Sequence, residues 1–237
     1  MAFDEKYFST NTYKDVSFDR FSQYWWSNRF YAMLVRRYAH RGAPLLEIGS
    51  GLGHLVGQLE REYPATAIDV NHWALVQSRS VAPGTRFQVA SAEALPFPSD
   101  SFGVVVIKHV VEHLPHPEQA IAELGRVLTR AGVLILATPN LDSLARPWKG
   151  EQWIGYQDKT HISLRTPSEW LEMLESNGLK PKRVFADGFW DAPYIPVVPK
   201  IVQKLLFGSL GGLQAVSGIV FLPRRWGESI MVVAQRK

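Results

Sequence analysis

The stretch Leu45-Leu46-Glu47-Ile48-Gly49-Ser50-Gly51-Leu52-Gly53 constrains this chain more than any other. An apolar run holding one carboxylate is followed by glycine at every second position. It reads as a buried strand ending near Ile48, a turn over the glycines, and a helix opening near His54. Glycine permits positive φ and leaves no Cβ in the way of a ligand. In open α/β sheets, ligands sit at such strand-to-helix corners, at the carboxyl ends of the strands.

Strand and helix patterns alternate on either side of this corner. Aromatic and apolar residues recur at helical spacing from Phe21 to Tyr38, Trp25 and Trp26 among them. That helix either packs on the sheet or forms an aromatic cover. Strands are expected over 44–48, 65–71, 86–89, 101–107, 133–137, 182–186 and 229–234. Helices are expected over 54–63, 72–80 and 118–129, and a further one starts at Thr166-Pro167-Ser168-Glu169 by cap, proline and acid. Ala131-Gly132 reads as a turn. The fourth and fifth strands are nearly all apolar, as parallel strands covered on both faces should be. Alternation of this kind specifies a parallel sheet between helical layers.

The chain has 237 residues, 46% hydrophobic and 20% charged, enough for one large domain with an ample core. It has no cysteine, which excludes a disulfide scaffold and thiolate metal ligation. The start lacks a basic and apolar leader pattern, so a cytoplasmic protein is expected. Net charge is +4, with basic residues gathered late and no nucleic-acid motif beside them. A solvated surface is the expectation, and no nucleic-acid partner.

The glycine spacing bears on the ligand. Dinucleotide folds want Gly-x-Gly-x-x-Gly, and here the third glycine comes one residue early, with His54 at the dinucleotide position. Glu47, just before the first glycine, suits a ligand carrying a cationic amine and sulfonium better than a pyrophosphate. Asp69 ends the next strand about 20 residues on, where a carboxylate accepts hydrogen bonds from ribose hydroxyls. Asp69 or Asn71 could equally cap the helix that starts at His72.

The glycine stretch and residues 102–140 resemble class I S-adenosylmethionine (SAM) dependent methyltransferases. The nearest branch acts on small molecules and includes ubiquinone-pathway enzymes. The resemblance spans 43–140 closely, and 160–186 and 228–235 more loosely. It implies a Rossmann-like, doubly wound α/β sheet of seven strands, mostly parallel with an antiparallel last strand, and helices on both faces. It implies SAM as cofactor and S-adenosylhomocysteine (SAH) as product. The expected cofactor set is Glu47 for the methionine-end amine, Gly49, Ser50, Gly51 and Gly53 along its path, Asp69 and Val70 at the ribose, Ser91, Ala92 and Glu93 at the adenine edge, and Lys108. Ser91 and Gly103 depart from the family, which usually has acids there.

Three histidines and an acid fall between Lys108 and His116. His109, His113 and His161 are the candidate bases for a hydroxyl acceptor. His116 is expected in solvent. Ubiquinone-pathway O-methyltransferases carry Glu-x-x-Glu-His at this place, associated with a divalent metal. Here His109 replaces the first acid, and His109, Glu112 and His113 would converge on one helical turn. Relatives that use no metal also carry Glu-His there, so no metal is assigned.

The expected organisation is an N-terminal arm and cover helix over 1–42, then the methyltransferase domain over 43–237, with substrate-side insertions at 141–166 and 187–227. Leu205 to Leu222 is uncharged for roughly 18 residues, at the lower edge of span length. It reads as an apolar helical cover, a dimer surface, or a patch dipping into a membrane interface. The expected activity is methyl transfer to a small-molecule acceptor, at oxygen, by a monomer or homodimer that is cytoplasmic and peripheral at the membrane if the third reading holds. The alternatives are a nicotinamide-dependent oxidoreductase and a non-catalytic SAM-fold module at a membrane surface.

Overall fold

The computed structural model describes residues 16–237. Most of the arm expected at the start lies outside the described residues. The elements are α1 (Gln23–Tyr38), β1 (Leu45–Ile48), β2 (Ala65–Asp69), α2 (His72–Val81), β3 (Arg86–Val89), β4 (Phe102–Lys108), α3 (Pro117–Val127), β5 (Leu128–Pro139), the short α4 (Arg146–Lys149) and α5 (Ile154–Gln157), α6 (Pro167–Ser176), β6 (Leu179–Ala186), α7 (Lys200–Ser217) and β7 (Ser229–Arg236).

The strands form one seven-stranded sheet in the order β3-β2-β1-β4-β5-β7-β6. β7 runs antiparallel to both β5 and β6, and the other pairs are parallel. The chain winds outward from β1 to β3, then returns to place β4 on the other side of β1. The strand order therefore reverses between β1 and β4, and the crevice beyond their carboxyl ends is the ligand position of such sheets. Glu47 stands opposite Ala67 and Val106, so the β1, β2 and β4 ends are level there.

Side-chain alternation divides the core. Leu45, Val104, Val106 and Ile135 meet α1 residues Phe30, Tyr31, Leu34 and Val35 on one face. Leu46, Ile48, Val105, Ile107 and Leu134 meet Ile121 and Leu124 of α3 and Trp170 and Leu174 of α6 on the other. Gly103 packs its α-carbon where a Cβ would lie 2.7 Å from that of Ala43, which accounts for the missing family acid.

The helix expected over 54–63 is not a regular α-helix. A 3₁₀ turn covers Val56–Gln58, and the rest is turns. Gly53 and Gly57 weaken helix formation, while burial of Leu55, Val56, Leu59 and Tyr63 fixes the tight path. β5 starts earlier than expected: Phe102 pairs with Leu128 before the register slips and resumes at Val104 and Val133. The slip takes up Ala131, at φ +62°, and Gly132. β6 starts at Leu179 and tolerates Pro181 because it is an edge strand with a register shift there. The cap of α6 forms as read: Glu169 Oε2 accepts from Thr166 N at 2.7 Å, and Thr166 Oγ1 accepts from Glu169 N at 3.3 Å.

Candidate functional site

Three positive-φ glycines shape the turn after β1: Gly49 at +70°, Gly51 at +51° and Gly53 at +77°. A Cβ on Gly49 would come within 2.2 Å of Val110 Cγ2, and one on Gly53 within 2.9 Å of Ser78 Cβ. Only glycine lets the loop lie this close to its neighbours.

Asp69, at the end of β2, turns toward that loop. Its Oδ2 accepts from Gly51 N at 2.9 Å and its Oδ1 from Asn71 N at 2.8 Å. Burial raises its carboxyl, against those backbone hydrogen bonds. Asn71, not Asp69, caps α2 by accepting from Ala74 N at 3.1 Å. Val70, beside it, is exposed.

Glu47 is buried at the carboxyl end of β1, and burial pushes it up to about 8 against the pull of Lys108. Lys108, at the end of β4, is pushed down to about 8 by burial, with Glu47 and Asp187 opposing. Its Nζ donates to Asn28 Oδ1 at 2.9 Å and lies 4.7 Å from the ring centre of Tyr31. Among the described residues, Asn28 Nδ2, Glu47 Oε2 and Ser50 Oγ are buried polar atoms with no hydrogen-bond partner. α1 thus covers the loop, and Phe18 stacks on His54 at 4.9 Å. A cavity of about 190 Å³ lies there, lined by Tyr24, Trp25, Asn28 and His54 among others.

The adenine-edge candidates are less convergent. Ala92 is buried, Ser91 Oγ accepts from Glu93 N at 3.2 Å, and Glu93 Oε1 accepts from His116 N at 2.7 Å. Glu93 thereby holds the entry to α3. His116 is exposed, as read.

The structure splits the histidines. His109, at φ +52°, bonds Glu112 Oε1 through Nδ1 at 3.1 Å, and its Nε2 lies 3.5 Å from Ser229 Oγ. Thr138 Oγ1 donates to Glu112 Oε2 at 3.2 Å. Burial alone would raise Glu112, but the hydrogen bond from His109 and the charges of His109 and His113 hold it below the usual range. His113 meets Thr160 Oγ1 at 2.8 Å and lies 4.7 Å, ring to ring, from His161. His161 Nδ1 faces Gly155 O at 2.7 Å. The turn at Val111–His113 is 3₁₀, so His109 does not join a helical triplet with Glu112 and His113. Among the described residues, the group that could hold a metal ion is Glu112, His113 and His161.

Two further polar residues beside the site lay outside the sequence reading. Asn28 is an amide in the apolar stripe of α1. Asp187 directly follows β6, a carboxylate at a strand end like Glu47 and Asp69. Burial pushes Asp187 up to about 6, although Ser229 N donates to its Oδ1 at 2.8 Å. Asp187, Tyr31, Trp26, Phe189 and Trp190 line a second cavity of about 350 Å³ between α1 and α7. Burial and the charges of Asp187 and Glu112 raise the Tyr31 phenol.

Residues 46–136 match the family described as a methyltransferase domain. A phosphatidylethanolamine N-methyltransferase of Cereibacter sphaeroides is 26% identical over 61% of this chain and 78% of its own. A ubiquinone/menaquinone biosynthesis C-methyltransferase of Stutzerimonas stutzeri is 36% identical over 41% of this chain and 42% of its own. This chain thus spans under half of that second relative's length. A solved putative methyltransferase of Bacillus halodurans superposes with a TM-score of 0.61 at 20% identity, over 87% of this chain and 97% of that one. Residues 46–136 carry a methyltransferase domain, and the fold is that of SAM-dependent methyltransferases. SAM is the methyl donor of this family and SAH the product. In this domain the corner between β1, β2 and β4 joins the glycine loop, Glu47 and Asp69, all within the matched span.

Proposed function

We propose that the chain transfers the methyl group of SAM to a small-molecule acceptor, at oxygen. The observation that carries the reading is Glu47 Oε2, a buried carboxylate oxygen with no partner beside the glycine loop. A carboxylate oxygen taken out of water without a partner is costly, and a ligand ammonium offsets that cost. Asn28 Nδ2 and Lys108 are donors for the carboxylate at the same end of the ligand. Ser50 Oγ and the loop glycines follow its length, Asp69 accepts from the ribose hydroxyls, and Ala92 with Ser91 borders the adenine.

SAM supplies a methyl carbon already activated by a positive sulfur, so the protein's task is alignment and exclusion of water. α1 excludes water above the loop. His109 is the base: with Nδ1–H donated to Glu112, its Nε2, which Ser229 Oγ approaches at 3.5 Å, carries the lone pair that takes the proton of an acceptor hydroxyl. Glu112 is a positioning residue that fixes this tautomer. His113 and His161, each bonded to the 155–160 segment, border the acceptor side.

SAM labelled with carbon-13 in the methyl group tests the reading. Incubation with a small-molecule extract is expected to place the label in a methoxy signal, and His109→Ala lowers the rate about 10²- to 10⁴-fold. Label in an N-methyl or C-methyl signal contradicts transfer to oxygen. Absence of any transfer contradicts the activity.

A further inference from the structure

α7 is built inside out. Gln203 and Gln214 are both 0% exposed, while Ile201, Leu205, Leu206 and Leu213 are 60–67% exposed. The two glutamines hold the helix in this orientation. Gln203 accepts from the N–H groups of Tyr194 and Ile195 and donates to the carbonyls of Ile195 and Val198. Gln214 donates to Ala186 O at 2.8 Å and accepts from Phe221 N and Leu222 N at 3.0 and 3.1 Å. Gly211 makes the close approach: a Cβ there would lie 2.6 Å from Trp190. The apolar side is fixed outward by satisfied hydrogen bonds, and contiguous exposed apolar faces of this kind mark interaction sites.

The surrounding charge selects the partner. From Ala192 to Gly227 there is no Asp or Glu, and Lys200, Lys204, Arg224 and Arg225 flank the apolar stretch. Apposing two copies of this face in a two-fold dimer would bring eight cations together without an acid from the segment. A bilayer surface carrying anionic lipids supplies the opposite charge and takes up the aliphatic side chains at the headgroup boundary. Among the described residues, no helix is long and apolar enough to cross a membrane, so the geometry is that of a helix lying on the interface.

We propose that the outward face of α7 docks the protein on anionic lipid bilayers. Lys204 and Val216 belong both to the exposed side of α7 and to the lining of the α1–α7 cavity. Docking therefore sets that cavity beside the lipid. Resting on the methyltransferase reading, this names the acceptor class: an amphiphile whose polar end reaches Asp187 while its apolar part stays near α7.

Vesicle co-sedimentation of the full chain tests the docking, with the SAH-induced melting shift measured on the same samples. Wild type is expected to sediment with vesicles of phosphatidylcholine mixed with phosphatidylglycerol. Binding falls about tenfold or more on pure phosphatidylcholine or at raised salt, since each basic residue near an anionic surface contributes to binding. Leu205→Glu with Leu213→Glu removes vesicle binding and keeps the SAH shift. Leu205→Ala with Leu213→Ala weakens it in the same direction, which separates lost apolar contact from added negative charge. No sedimentation of wild type, or equal sedimentation of the Glu variant, overturns the proposal. A concentration-dependent dimer that the Glu variant splits, without vesicle binding, overturns it in favour of self-association. Vesicle binding without an SAH shift leaves the docking standing and contradicts the methyltransferase reading instead.

Discussion

Burial works against both members of the Glu47–Lys108 pair, raising the carboxyl to about 8 and lowering the ammonium to about 8. Near neutral pH Glu47 holds a proton that must leave before it can accept from an ammonium. SAH affinity is therefore expected to climb as pH rises toward about 8. Glu47→Gln should bind about tenfold or more weakly and lose that slope, because a neutral amide replaces a charge-assisted bond. Calorimetry across pH checks this, and an unchanged slope in the variant contradicts the role. Asp187 makes a prediction of opposite use. Its carboxyl rises from 3.8 to about 6 on folding, so the stability it contributes is complete below the lower value and lost as pH rises through about 6. Asp187→Asn keeps an acceptor for Ser229 N and is expected to stabilise the fold by about 1–3 kcal/mol above that pH, and little in acid. Melting temperatures at both ends of the range decide it.

At the level of elements, α7 inverts the usual rule for amphipathic helices, and a prediction follows from the inversion. Gln214→Leu replaces a polar residue by an apolar one in a buried place. It leaves Ala186 O, Phe221 N and Leu222 N without their partner, at about 1–3 kcal/mol for each buried group left unpaired. Chemical denaturation is expected to show a clear loss of stability, and a gain would contradict the anchoring argument. This element also marks where sequence reading stops. Strands, α6 and its cap were legible because short continuous apolar runs and Thr-Pro-Ser-Glu leave local signals. The uncharged run 205–222 showed only that something apolar was there. Which side of the helix faces inward is decided by hydrogen bonds from two glutamines to segments before and after it, contacts that no local pattern encodes. A helix is expected over 54–63 because a strand and a glycine turn lead into it, but the glycines and the packing of Tyr63 favour a tighter path.

Across the whole molecule, Glu228 at the entry to β7 ties both insertions to the sheet. Its Oε2 accepts from Trp153 Nε1 at 2.6 Å and its Oε1 from the Tyr194 hydroxyl at 2.8 Å. Glu228→Ala orphans both donors and is expected to cost several kcal/mol, about 1–3 for each donor, with Glu228→Gln milder because one acceptor remains. Comparison of the two variants by denaturation checks it, and equal small losses would contradict the bridging role. The glycine corner, Glu47 and Asp69 were legible because residues at strand ends obey the sheet's own geometry. Asn28 and Asp187 follow similar logic but come from α1 and the far edge, and only the fold brings them near Lys108. The division of His109 from His113 and His161 likewise depends on Thr160 and Ser229, distant in sequence.

The loop at 49–53, Glu47 and Asp69 form the proposed grip on the nucleoside of SAM. Calorimetric titration of the full chain with SAH, with NADH as the contrasting ligand, tests it most directly. Saturable heat is expected with SAH and none with NADH, with loss of the SAH signal in Asp69→Ala while the fold is retained. Heat with NADH alone, or SAH binding unchanged by Asp69→Ala, would contradict it.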